Sequence, residues 1–235
     1  MRVSSGAPVR HELLLLDLDG TISDPLAGFA RSINFALSHF GYPTLEESAF
    51  SSWIGPPLEQ TLAAITGVSS PVHVGELAAK YRERYGDIGY AENTLYPGMA
   101  EVLAMLHDAG VALAVCTAKR KDFAERILAM FGLRERFRFV DGGEPGVQKW
   151  QQVAALLAHG AIPASSVMIG DRSVDMIAGH RNGLLSAGVL WGHGSREELE
   201  AERADYLFSS PADLVLLAPV GVAPTADEDG DRQQS

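Results

Sequence analysis

The chain has 235 residues, with 30 acidic against 19 basic side chains and a formal net charge of −11. That balance excludes the basic face on which an electrostatic nucleic-acid interface depends and disfavours an anionic membrane surface, while the length allows a full core in one large domain or two unequal ones. Cys116 is the only cysteine, which excludes an intrachain disulfide and a cysteine-rich zinc site and fits a reducing compartment.

In chain order, the first twelve residues carry Arg2 and Arg10 but no apolar segment. The apolar run Leu13–Leu16 is too short for a signal core, and nothing approaches the roughly 18 to 20 apolar residues of a membrane-spanning helix. A cytoplasmic location is therefore expected. Leu13–Leu16 predicts a buried parallel strand, and it runs into Asp17-Leu18-Asp19-Gly20-Thr21, placing two carboxylates at the strand end where α/β sheets bind ligands. Asp17 and Asp19 start out on one side of an extended chain, and Gly20 permits a sharp turn behind them. Close carboxylates repel unless a cation or a shared proton relieves them. By itself the stretch has two readings: a site combining metal, nucleophile and acid, or a strand end with an Asp-Gly turn in which Asp19 caps the next helix.

From Pro25 the period changes. Phe29, Ile33, Phe35, Ala36, Leu37 and Phe40 trace one helical face that Gly41 stops. Further helices are expected over 45–53, 57–65 and 72–85, divided at Gly41-Tyr42-Pro43, Ile54-Gly55-Pro56-Pro57 and Gly67 to Pro71. No strand is expected in this block, which reads as a small helical domain inserted after the first strand.

At Tyr96-Pro97-Gly98 an alternation begins: helix 99–109 closed by Gly110, strand 111–116 ending at Thr117, helix 122–130 stopped at Gly132, and a short strand 138–140 running into the loop 141–147. Lys149 opens a helix to about residue 159, strand 167–169 ends in Gly170-Asp171, and helix 174–181 leads to strand 184–190. A helix over 197–202, a strand over 206–208 and a helix over 212–217 complete the pattern. Such alternation predicts an α/β fold with a parallel sheet covered on both faces. From about Pro219 the chain is rich in Gly, Pro and Ala and ends among Asp227, Glu228, Asp229 and Asp231, a composition expected to be disordered.

The later strands also end in polar groups. Thr117 follows one, Asp171 another, and Asp175 lies one helical turn beyond Asp171, while Lys149 opens its helix beside a Gly-rich loop. A parallel sheet brings all of these to one edge.

With DLDGT at 17–21, Thr117 within CTAKR, Lys149, and GDRSVD at 170–175 in that order, the chain resembles the haloacid dehalogenase superfamily of phosphotransferases over residues 11–217. The resemblance implies a Rossmann-like core from 11–23 and 96–217, a helical cap domain of the C1 type at 24–95 that closes over the active site, and a tail at 218–235. Asp17 would attack phosphorus and become an aspartyl-phosphate, and Asp19 would protonate the leaving oxygen and later deprotonate the attacking water. Mg²⁺ would be held by Asp17, the Asp19 carbonyl and Asp171, with Asp175 acting through water or behind the direct ligands. Thr117 and the N–H of Ala118 would bind the phosphoryl oxygens, and Lys149 would offset their charge. The family usually places proline after this lysine, where this chain has Trp150, and Lys119 competes for the role.

An aspartate at position 19 points within the superfamily to phosphatases and phosphomutases. Ile54-Gly55-Pro56-Pro57-Leu58 and Gly188-Val189-Leu190-Trp191-Gly192 resemble the branch named phosphoglycolate phosphatase-like or 5′-nucleotidase-like. A phosphatase acting on a small phosphorylated metabolite is expected, with a sugar phosphomutase and a phosphate-sensing protein without turnover as alternatives, and with monomer or homodimer left open. Arg31 and Asn34 are candidates to touch substrate. The seven histidines are scattered and read as surface or packed residues, His180 standing where the family has a small residue, and Gly192-His193-Gly194 reads as a loop.

Overall fold

The computed structural model describes residues 11–144 and 146–218; the tail expected to be disordered lies outside the described residues. Chain order runs β1 (Leu13–Leu16), β2 (Ser23–Asp24), α1 (Leu26–His39), a 3₁₀ segment at Glu47–Trp53, α2 (Leu58–Thr66), α3 (Pro71–Asp87) and β3 (Thr94–Leu95). It continues through α4 (Met99–Asp108), β4 (Ala112–Cys116), α5 (Lys121–Met130), β5 (Val140–Asp141), α6 (Lys149–Ala158), β6 (Val167–Gly170) and α7 (Ser173–Arg181). β7 (Leu185–Val189), α8 (Arg196–Ala201), β8 (Tyr206–Phe208) and a 3₁₀ segment at Pro211–Leu217 follow.

A six-stranded sheet has the order β5-β4-β1-β6-β7-β8, and every pairing in it is parallel. The chain moves outward from β1 through β4 to β5, then returns to the other side of β1 with β6. The carboxyl end of β1 therefore faces the crevice where the winding reverses, the place α/β sheets offer to a ligand. All four leucines of β1 are fully buried because both faces of the sheet are covered. Leu14 and Leu16 pack with α4 and α5, through Val102, Leu103, Leu106, Ile127 and Leu128. Leu13 and Leu15 pack with Val153 of α6 and Ala178 of α7. Strand alternation continued one residue beyond Leu16 puts Asp17 on the side covered by α6 and α7. Those two helices supply Lys149 and Asp175.

A second core brings Ile33, Ala36 and Leu37 of α1 against Phe50, Leu62, and Leu77, Ala78, Tyr81 and Tyr85 of α3, with Phe123 of α5 packed into it. Helix α1 approaches the chain after α3 so closely that a Cβ at Gly28 would overlap the Gly89 carbonyl. Phe35, expected on the buried face, is exposed and lies under the Lys80 ammonium.

Three expectations change in detail. The block thought free of strands is bounded by β2 and β3, an antiparallel pair of two residues each; elements this short carry no periodicity to read. The segments at 47–53 and 211–217 are 3₁₀ rather than α. The short strand expected at 138–140 is β5 at Val140–Asp141, with the Arg138 N–H and Phe139 carbonyl already bonded to β4. Among the described residues, no helix is long and apolar enough to cross a membrane.

Candidate active site

The carboxyl edge of the sheet gathers Asp17, Asp19, Thr117, Lys149, Asp171 and Asp175. Asp17 extends the β1 ladder, its N–H donating to the Ile169 carbonyl at 2.9 Å. Leu18 then opens a tight turn, since its carbonyl accepts from Ile22 and Ser23. Gly20 completes it at φ +80°, and a Cβ there would overlap the Asp171 carboxylate. The turn separates the two aspartates that begin on one side of the chain. Asp17 Oδ2 meets Lys149 Nζ at 2.7 Å, whereas Asp19 Oδ2 meets Lys119 Nζ at 2.8 Å.

The competition between the two lysines resolves into two positions. Lys149 is buried and bridges Asp17 and Asp175, the latter at 2.5 Å. Burial works against its charge, but the two carboxylates outweigh that and hold its pKa above the ordinary lysine value. Lys119 bonds Asp19 and, at 2.7 Å, the Tyr85 hydroxyl of α3. Burial opposes its charge too, and Asp19 and Tyr85 more than offset it.

Asp17, Asp171 and Asp175 place carboxylate oxygens within 4.8 Å of one another. Burial first, and then the Asp17 charge, pushes the Asp171 carboxyl up to about 6. For Asp175, burial outweighs the help of Lys149 and takes the carboxyl to about 7. Asp171 Oδ2 accepts the His193 N–H at 2.8 Å, and its Oδ1 is buried with no partner among the described residues. Both Asp175 oxygens are engaged, one by Lys149 and the other by the Arg172 N–H at 3.1 Å. Three crowded carboxylates around an unpaired buried oxygen form an all-oxygen set suited to a hard divalent cation.

Thr117 stands buried at the end of β4, its N–H donating to the Asp141 carbonyl at 3.0 Å and its hydroxyl accepting from the Lys119 N–H at 3.2 Å. Ala118 beside it is exposed. Gln152 of α6 ties this corner together, donating to the Thr117 carbonyl and to Asp141.

Other residues fall elsewhere. Arg31 is half exposed and paired with Glu92 and Glu47, and Asn34 bonds both backbone groups of Leu45. Local partners thus occupy the two side chains proposed to touch substrate. His180 gains an account: it bonds Ser186 of β7 at 2.9 Å and Asp205 at 3.1 Å, joining α7 to the far edge of the sheet. The Gly-Pro-Pro turn docks on the core, where the Ile54 carbonyl accepts from the Arg172 guanidinium. Tyr85 was not singled out, and Gly192-His193-Gly194, read only as a loop, brings the His193 N–H onto Asp171.

The model of the family described as haloacid dehalogenase-like hydrolase matches residues 14–189. The chain belongs to this family. Among relatives of this haloacid dehalogenase-like hydrolase, a 5′-nucleotidase of Pseudomonas aeruginosa is 34% identical over 218 residues, covering 91% of this chain and 97% of its own. The protein named tyrosine-protein kinase PtkA of Mycobacterium tuberculosis is also 34% identical, over 212 residues that cover 88% of this chain and 69% of its own. Its solved structure superposes with a TM-score of 0.76 at 32% identity, covering 88% of this chain and 98% of that one. A phosphoglycolate phosphatase of Synechococcus elongatus is 29% identical over 205 residues, covering 87% and 95%. The family and both names in the expected branch are thus found among relatives of this chain.

Proposed function

We propose that this chain is a Mg²⁺-dependent phosphatase that hydrolyses small phosphomonoesters through an aspartyl-phosphate on Asp17. The observation that carries the reading is the division of the two aspartates: Asp17 lies with Lys149 and the carboxylate cluster, and Asp19 lies with a different lysine on the side of α3. This division supports the assignment of one carboxylate to attack and the other to proton transfer.

Asp17 Oδ attacks phosphorus, forming the acyl-phosphate bond as the bond to the leaving oxygen breaks. Asp19 hands its proton to that oxygen; burial raises its carboxyl pKa against the pull of Lys119, which favours the proton-bearing form the step needs. Water then attacks phosphorus, Asp19 takes its proton, and phosphate leaves with Asp17 restored. Lys149, Thr117 and the N–H of Ala118 orient the phosphoryl oxygens. Asp17, Asp171 and the Asp19 carbonyl would hold Mg²⁺, with Asp175 behind them. The bound cation would offset negative charge on the carboxylates and the phosphoryl group. In this reading residues 11–23 and 96–217 are the catalytic core and 24–95 the cap, whose contacts select the leaving portion.

The identity to a protein named tyrosine-protein kinase favours a second reading, in which a hydroxyl takes the place of water as acceptor; a phosphomutase is the same case with a sugar hydroxyl. Free phosphate separates the two. Phosphoglycolate, nucleoside 5′-monophosphates and sugar phosphates should include esters that release inorganic phosphate with Mg²⁺, and EDTA should abolish the release. A panel in which phosphate appears only on an added acceptor contradicts the phosphatase.

A further inference from the structure

His193 occupies an unusual crossing of contacts. It follows β7 in the segment Trp191–Gly194, which lies against the Asp17–Thr21 turn: the Trp191 indole N–H donates to the Thr21 carbonyl at 2.9 Å. A Cβ at Gly192 would overlap the Gly20 carbonyl and Asp171, and one at Gly194 would overlap the Asp171 carbonyl. Two glycines therefore let the backbone close on Asp171, and the residue between them aims its N–H at Asp171 Oδ2.

The His193 side chain faces the opposite partner. Its Nε2 lies 3.1 Å from Asp24 Oδ1 and its Nδ1 lies 3.0 Å from the Ser51 hydroxyl. A carboxylate can only accept, so Nε2 carries the hydrogen toward Asp24, and Nδ1 shares a hydrogen bond with the Ser51 hydroxyl. Asp24 sits in β2, where the chain passes into the inserted helices, and its Oδ1 also accepts the Leu26 N–H at the start of α1. Ser51 belongs to the 3₁₀ segment of the insert. A second contact runs in parallel: Arg172, next in sequence to Asp171, donates to the Ile54 carbonyl three residues beyond Ser51. The position of residues 51–54 is thus joined at two points to the residues that bond or adjoin Asp171.

We propose that His193 is a positioning residue that couples the seating of the inserted helices to the orientation of Asp171, and through Asp171 to divalent-cation affinity. The inference rests on the cation reading above. With the insert seated, Asp24 and Ser51 fix the imidazole, and the fixed residue holds its amide on Asp171 Oδ2 while Oδ1 is left for the cation. Shifting the insert loosens the imidazole and with it the amide. Coupling between sites is reciprocal, so the cation must favour the seated insert by the factor by which seating favours the cation.

The test is Mg²⁺ binding to the substrate-free protein by isothermal titration calorimetry at one pH. His193→Ala keeps the backbone N–H but frees it from the insert, and should weaken Mg²⁺ binding by about 10- to 100-fold, the usual effect of groups that orient a metal ligand. Ser51→Ala removes one hydroxyl from the insert and touches no carboxylate of the cluster, and should weaken it by about fivefold. In the reverse direction, Mg²⁺ should slow amide hydrogen exchange at residues 47–54 of the wild type. Ser51→Ala binding Mg²⁺ as tightly as wild type, or wild-type exchange at 47–54 indifferent to Mg²⁺, overturns the coupling; neither arm depends on His193→Ala folding. A wild type that binds no Mg²⁺ overturns the cation reading and this inference together.

Discussion

Asp17→Asn is expected to lower kcat for p-nitrophenyl phosphate by at least about 10⁴-fold, because an amide cannot attack phosphorus and no other carboxylate occupies its place at the head of β1. Asp171 and Asp175 lie close, but Asp171 is held by the His193 N–H and Asp175 by Lys149 and the Arg172 N–H. The variant should fold normally. Asparagine nearly matches aspartate in shape, and Lys149 keeps Asp175 as a counter-ion. Removing one of three crowded charges also relieves repulsion, so thermal unfolding should stay within a few degrees of wild type or rise. Retained turnover in a folded Asp17→Asn protein would remove the nucleophile from the account.

Lys149→Met is expected to act differently, losing stability as well as activity. The ammonium is the cation shared by Asp17 and Asp175, and all three groups are buried. Taking one member from a buried ion cluster leaves the others uncompensated, at a cost of about 3–5 kcal/mol. Urea denaturation without Mg²⁺ should show that loss, and Mg²⁺ should recover part of it by replacing the missing positive charge. Turnover should fall by about 10²–10³-fold even with Mg²⁺, since the charge on the phosphoryl oxygens is then only partly offset. A Lys149→Met protein as stable as wild type in the absence of Mg²⁺ would mean that Lys119 or solvent already neutralises the cluster.

Much of this site was legible because its parts sit at the ends of buried strands. β1, β4 and β6 are apolar runs bounded by polar residues, so Asp17, Thr117 and Asp171 could be placed on one sheet edge from pattern alone. Asp175 followed from helical spacing. The partner of each lysine was not legible: Lys119 and Lys149 both stand near strand or helix ends, and only the turn at Gly20 sends Asp19 to one and leaves Asp17 to the other. The partners of His193 were not legible for a related reason, since they lie at positions 24 and 51, across the join between core and insert. For Arg31 and Asn34, polar residues on the first inserted helix, the sequence did not show their partners: Glu47 and Glu92 pair with the first, and the Leu45 backbone bonds the second.

In the proposed mechanism the phosphoryl group passes through Asp17, and Asp19 activates the water that removes it. In Asp19→Asn, p-nitrophenyl phosphate still offers a leaving group that needs no proton, so the first step proceeds while the second is slowed. Acid quenching of this variant during turnover, followed by mass spectrometry of the peptide containing residues 13–31, should find a phosphoryl group on Asp17. Turnover of p-nitrophenyl phosphate by Asp19→Asn at the wild-type rate, with Asp17 unmodified at every time sampled, would contradict the account.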